Sequence, residues 1–145
     1  MKKAFAAIFV VTAAVTALAQ SDPIAARKAL MKENDQNAVI VVRMMRGMAP
    51  FDAAKVDAAF AQWADTAQKF PGLFPDNSKF GQNTRAAPKI WVTKSDFDAK
   101  SADFGKVVAA NREKAKSSLD GLRAAIPAIG KTCDVCHRDY RLSRQ

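Results

Sequence analysis

From Asp22 onward the apolar residues of this chain return at helical spacing, and proline and glycine, not strand-like alternation, mark the breaks between periodic stretches. Asp22-Pro23 supplies an N-cap and a first-turn proline, and Gly47 suits a C-terminal cap. Between them Ile24, Met31, Ala38 and Met45 recur every seven residues, with Val41 and Met48 on the companion seam. A second helix is predicted to open at Asp52 after Pro50, to carry Val56, Phe60, Trp63, Ala67 and Phe70 on one face, and to stop at Pro71-Gly72. A third starts near Ser95 and aligns Phe97, Phe104, Val108 and Ala115. After a weak break at Asp120-Gly121, the fourth carries Leu122, Ile126, Ile129, Cys133, Cys136, His137 and Tyr140, and Pro127 is expected to kink it by removing a backbone donor. Four amphipathic helices with no internal repeat predict an all-α fold, an antiparallel four-helix bundle. Residues 71–94, with prolines at 71, 75 and 88, form a long loop between helices 2 and 3, and long loops often cover a ligand.

The first nineteen residues have a different character. Lys2 and Lys3 precede an apolar run that ends in Ala17-Leu18-Ala19, the pattern of a secretory signal cleaved after a small-x-small site. The run is too short for a comfortable membrane span, and no later stretch approaches the roughly 20 apolar residues a span needs. Residues 1–19 are therefore expected to be removed, leaving residues 20–145 as a single exported domain that is periplasmic and not membrane-spanning. Loss of the two lysines takes Lys and Arg from 23 to 21 against 14 acidic residues, a formal charge of +7. Such a surface can steer an acidic redox partner protein. No nucleic-acid role is expected, because the basic residues are scattered with no run longer than two.

The chain has two cysteines and one histidine, and all three lie within residues 133–137 as Cys133-x-x-Cys136-His137. This is the signature of covalent c-type haem attachment, in which two thiols add to the haem vinyl groups and the adjacent imidazole binds the iron. On a helix these positions share one face, the buried stripe of the fourth helix. A thioredoxin-like redox pair would follow a strand, and none is predicted. A structural zinc site wants four Cys or His ligands where three exist. A plain disulfide would give His137 no role.

With its motif near the C-terminus of a predicted four-helix bundle, the chain resembles the class II cytochromes c, the family of cytochrome c′ and its low-spin relatives. The most specific match runs from Gly130-Lys131-Thr132-Cys133 through Tyr140-Arg141. Softer matches are Arg27-Lys28-Ala29-Leu30-Met31-Lys32, Met48-Ala49-Pro50-Phe51, Leu73-Phe74-Pro75 and Pro88-Lys89-Ile90-Trp91. The resemblance implies one haem c on Cys133 and Cys136, His137 as the axial iron ligand, and Arg141 beside that histidine. It also implies a homodimer through the first two helices.

The other side of the iron follows from counting. In an up-down-up-down bundle Met31 and His137 both lie roughly 12–14 Å from one bundle end, whereas Met44, Met45 and Met48 lie at least about 30 Å along. Met31 is thus the methionine that can face the haem. Ligation through its sulfur would give a low-spin iron suited to electron transfer, the reading preferred here. Without ligation the protein would be a five-coordinate cytochrome c′ that binds a small gas such as nitric oxide or carbon monoxide. Arg27, four residues before Met31, is expected either to meet a haem propionate or to reach water. Trp91 is expected either to close over the haem edge or to anchor the loop. No enzymatic activity is expected, since the only histidine is used on the proximal side and no acid–base group remains for a peroxidase.

Overall fold

A computed structural model of the chain describes residues 22–143, so the expected signal peptide lies outside the described residues. Helix α1 spans Pro23–Met45 and α2 Ala53–Lys69. Two 3₁₀ turns, Phe70–Leu73 and Asp76–Ser78, follow. A one-turn helix α3, Lys89–Val92, precedes α4, Lys94–Ser117, and α5, Leu119–Tyr140. Local chemistry sets these boundaries. Asp22 Oδ1 accepts from the backbone N–H groups of Ile24 and Ala25, and Asp52 Oδ1 from that of Lys55, so each opens a helix by satisfying orphan donors. Gly47, at φ +70°, ends α1 with its N–H on the Met44 carbonyl while Met48 N–H reaches that of Arg43. That turn swings Met48 into solvent, where it is 62% exposed, so it is not on the companion seam as expected. Met44, buried, occupies the core position instead.

The four long helices pack in sequence, α1 on α2, α2 on α4 and α4 on α5, whereas α1 approaches α5 directly over only a short stretch. Cross-helix bonds show that the neighbours run antiparallel. Ser101 Oγ donates to the Ala67 carbonyl at 3.0 Å, and about 16 Å further along α4 the two-pronged Arg112/Asp57 pair at 2.8 and 2.9 Å keeps the two helices in register. One cluster of buried side chains, including Val41, Phe60, Trp63, Val108, Leu122 and Ile129, fills the end of the bundle away from the chain's C-terminus. A second, aromatic cluster of Phe74, Ile90, Phe97 and Tyr140 fills the other end.

The break between the last two helices is a single residue, Ser118, whose Oγ accepts from Gly121 N–H at 3.0 Å. The sequence pattern puts the break at Gly121, but that glycine lies inside α5 for a different reason: a Cβ there would stand 2.1 Å from the Lys114 carbonyl oxygen. The obstacle is backbone and cannot rotate away. Gly121→Ala should therefore destabilise the protein by about 3 kcal/mol, and its thermal midpoint should fall by roughly 10 °C. An unchanged melt would show that α4 and α5 can separate there at no cost. Pro127 is exposed within α5, and the helix runs through it unbroken.

Candidate haem site

Cys133, Cys136 and His137 occupy the last two turns of α5, all half-buried, with both cysteines as free thiols. The spacing puts them on one face, as expected, but that face is only partly covered. Cys136 packs against the aromatic cluster, one helical turn before Tyr140. Tyr140 is buried, its ring edge-on to Phe97 at 5.2 Å, and its hydroxyl meets Asp96 and, at 2.9 Å, Thr93. The end of the motif is thus fixed to the start of α4. Burial pushes both thiols up from their ordinary range, with the neighbouring Asp134 adding to it at Cys133 and the Cys133 sulfur at Cys136. Burial also pulls the His137 imidazole down, helped by the positive charges of Arg141 and Arg85 and opposed by Asp134. A neutral imidazole is the form that iron ligation uses. The donor set, its half-burial and the short direct contact between α1 and α5 all fit a covalently held haem.

Arg141 follows α5 as its C-cap, exposed, with its N–H on the His137 carbonyl at 3.1 Å. It pairs with Ala86 in an antiparallel bridge, flanked by Ala87 N–H to the Tyr140 carbonyl at 3.0 Å and Leu142 N–H to the Arg85 carbonyl at 2.9 Å. Arg85 closes the contact, donating from Nε and NH2 to the Leu142 carbonyl at 2.9 and 2.7 Å. Sequence reasoning missed Arg85 altogether. The loop over residues 71–94 is therefore tied to the chain immediately after the haem motif.

Arg27 is 4% exposed, so it does not reach water. Its NH1 donates to the Leu73 carbonyl at 3.2 Å and Ser78 Oγ at 3.1 Å, and its NH2 to the Ser78 carbonyl at 2.8 Å and Thr84 Oγ1 at 2.7 Å. The guanidinium also lies 4.7 Å from the Phe74 ring centre and 5.8 Å from that of Trp91. A charge buried without a carboxylate beside it is met by four oxygen dipoles and two aromatic faces. Trp91, half-buried, donates from Nε1 to the carbonyls of Phe74 and Pro75 at 3.0 and 3.3 Å, and so anchors the loop.

Met31 lies one turn beyond Arg27, half-buried and outside both hydrophobic clusters. Asn34, a turn further, accepts from Thr66 Oγ1 at 2.9 Å through its side chain and from Trp63 Nε1 at 3.4 Å through its carbonyl. Met31 thus sits between two polar clamps on the same stripe. Since α5 ends at Tyr140, short of the chain end, the level of His137 has to be counted from there. Residues 84–87 touch both Arg27 and the segment after Tyr140, and so supply a common reference. Met31 is four residues past Arg27 on α1, and His137 is four before Arg141. At 1.5 Å per residue each lies about 6 Å from that reference. Met44 and Met45 belong to the far core.

A four-helix bundle whose last helix ends in Cys-x-x-Cys-His defines a class II c-type haem protein. The family described as Cytochrome C′ matches residues 22–141, and the chain belongs to it. It is 38% identical to a cytochrome c-556 of Rhodopseudomonas palustris over 135 residues, covering 90% of each chain. It is also 38% identical to a cytochrome c′ of the same organism over 128 residues, covering 88% of this chain and 87% of that one. The solved cytochrome c′ from R. palustris superposes with a TM-score of 0.82 at 36% identity, over 87% of this chain and all of that one. An NMR-validated structural model of oxidised R. palustris cytochrome c556 gives 0.79, again at 36% identity, with the same coverage. Covalent haem c is the cofactor, and the protein is a haem carrier of the electron-transfer or gas-binding kind. Among the described residues no helix is long and apolar enough to cross a membrane.

Proposed function

We propose that this chain is an exported, periplasmic electron carrier in which Cys133 and Cys136 hold the haem by thioethers, His137 is one axial ligand and the Met31 sulfur is the other. The observation that carries the reading is the clamping of α1 on both sides of Met31, by Arg27 into the loop and by Asn34 onto Thr66. A side chain that merely filled space would not need its helix pinned a turn before and a turn after. His/Met ligation raises the reduction potential and suits one-electron exchange. The net charge of +7 on residues 20–145 would steer an acidic redox protein toward the carrier.

The equal identity to a cytochrome c′ supports a second reading, a five-coordinate haem that takes nitric oxide or carbon monoxide with Met31 only shielding that face. The ferric spectrum of the purified holoprotein at neutral pH decides between them. A low-spin spectrum with a weak far-red methionine-to-iron band is expected, and a high-spin spectrum would overturn the electron-carrier reading in favour of gas binding. The partner reading has its own measurement. The rate of electron exchange with an acidic redox protein should fall as salt rises, since exposed charges are screened within about 8 Å at physiological ionic strength. A flat salt dependence would leave the charge without a steering role.

A further inference from the structure

Helices α1 and α5, which carry Met31 and His137, meet directly over only a short stretch, so something else must hold their separation. At the end away from the haem motif, Arg123 of α5 donates from Nε and NH2 to the Met45 carbonyl of α1 at 3.2 and 3.0 Å. At the near end no comparable bond joins the two helices among the described residues. Both instead bind the same four residues of the loop. Thr84 Oγ1 takes the Arg27 NH2 of α1 at 2.7 Å. The next three residues carry the bridge to the end of α5: Leu142 N–H on the Arg85 carbonyl, Ala86 opposite Arg141, and Ala87 N–H on the Tyr140 carbonyl. The Arg85 side chain adds its two bonds to the Leu142 carbonyl. Thr84 Oγ1 also accepts from Ala86 N–H at 3.3 Å, which ties the α1 arm to the α5 arm inside the segment itself.

We propose that residues 84–87 are a brace that fixes the spacing of α1 and α5 at the level of Met31 and His137, and that Thr84 and Arg85 are thereby positioning residues for the approach of Met31 to the iron. The inference rests on the reading of Met31 as the residue that faces the haem. It goes beyond that reading by assigning control of the approach to a loop that contributes none of the four haem-linked residues. The brace is short, its two arms are adjacent in sequence, and each arm ends about one helical turn from the residue it positions. The rest of the cage serves the same end: Ser78 and the Leu73 carbonyl hold the Arg27 guanidinium so that it can reach Thr84 only in one orientation.

The test uses the holoprotein with one arm cut at a time. Thr84→Val keeps the shape but removes the hydroxyl, cutting the α1 arm. Arg85→Lys keeps the charge near His137 but loses the two-pronged donation, weakening the α5 arm. Each should raise the high-spin fraction of the ferric protein and speed carbon monoxide binding to the ferrous protein by about fivefold, the ratio that one net hydrogen bond supports. Thr84→Ser, which restores the hydroxyl, should return both to the wild-type values. Ser101→Ala is the control: it removes a buried hydrogen bond between α2 and α4 and should lower the melting temperature without moving the spectrum or the rate. Brace variants that melt lower but keep the wild-type spectrum and carbon monoxide rate would overturn the proposal and leave residues 84–87 as a structural tie only. A wild-type protein that is already high-spin removes the ligation reading, not the brace. The brace then stands if the carbon monoxide rate changes in Thr84→Val and Arg85→Lys, and falls if it does not.

Discussion

Met31→Ala should convert the ferric holoprotein from low-spin to high-spin and open its iron to external ligands. The reasoning starts from α1. Arg27 and Asn34 are held by neighbouring elements independently of Met31, so truncating Met31 should leave the helix where it is and remove only the thioether. No other methionine among the described residues can replace it, because Met44 and Met45 are committed to the far core and Met48 lies beyond the Gly47 turn. If displacing the sulfur accounts for about 3 kcal/mol of the barrier to ligand entry, its removal should speed carbon monoxide binding roughly a hundredfold. The far-red band should vanish in the same variant. Met31→Leu should follow Met31→Ala in spin state, since leucine supplies bulk but no lone pair. A Met31→Ala protein that stays low-spin would require a different sixth ligand and would remove Met31 from the site.

This expectation could be formed from sequence because the features behind it are local. N-caps at Asp22 and Asp52, the glycine at 47 and the periodic apolar residues define α1 and α2 within a few residues, and Cys-x-x-Cys-His can be read without any tertiary information. What could not be read depends on partners far apart in the chain. Arg27 finds its oxygens at Ser78 and Thr84, 51 and 57 residues away, and no acidic residue spaced along the helix announces them. The choice between propionate and water therefore left out a neutral cage. Thr84 and Arg85 carry no motif: their side chains meet Arg27 and the Leu142 carbonyl, each 57 residues away, and the Ala86–Arg141 bridge beside them is backbone pairing that any sequence could make. The short helix α3 escaped for a related reason: its four residues are too few to show a period, and it is held by the Trp91 indole and the burial of Ile90. Gly121 misled in the opposite direction. Its local signal, a helix break, is real in general, but here the residue answers to the Lys114 carbonyl of the preceding helix.

Replacing both proposed attachment residues, Cys133→Ala with Cys136→Ala, should have the largest effect on the protein as a whole. With either thiol present one thioether still holds the haem, so the single variants should keep their colour through denaturing electrophoresis. The double variant should lose all of it. Stability should fall along with retention, because the bundle is held unevenly: α4 lies against both α2 and α5, whereas α1 has α2 and only a short direct contact with α5. With the haem seated as proposed, the half-buried faces that carry Cys133, Cys136, His137 and Met31 would depend on it to complete their burial, and a bound group stabilises the folded state by its binding free energy. Apart from the brace and the Arg123/Met45 contact, little else joins α1 to α5 among the described residues. The double variant should accordingly melt at least about 10 °C below the wild type, the shift that roughly 3 kcal/mol gives in a domain of this size. The loss should be concentrated in α1, which hydrogen exchange would report as faster exchange at residues 24–34 than along α4. A double variant that still ran as a coloured band would place the covalent attachment elsewhere. One that lost its haem yet melted with the wild type would show that the four helices hold α1 without it.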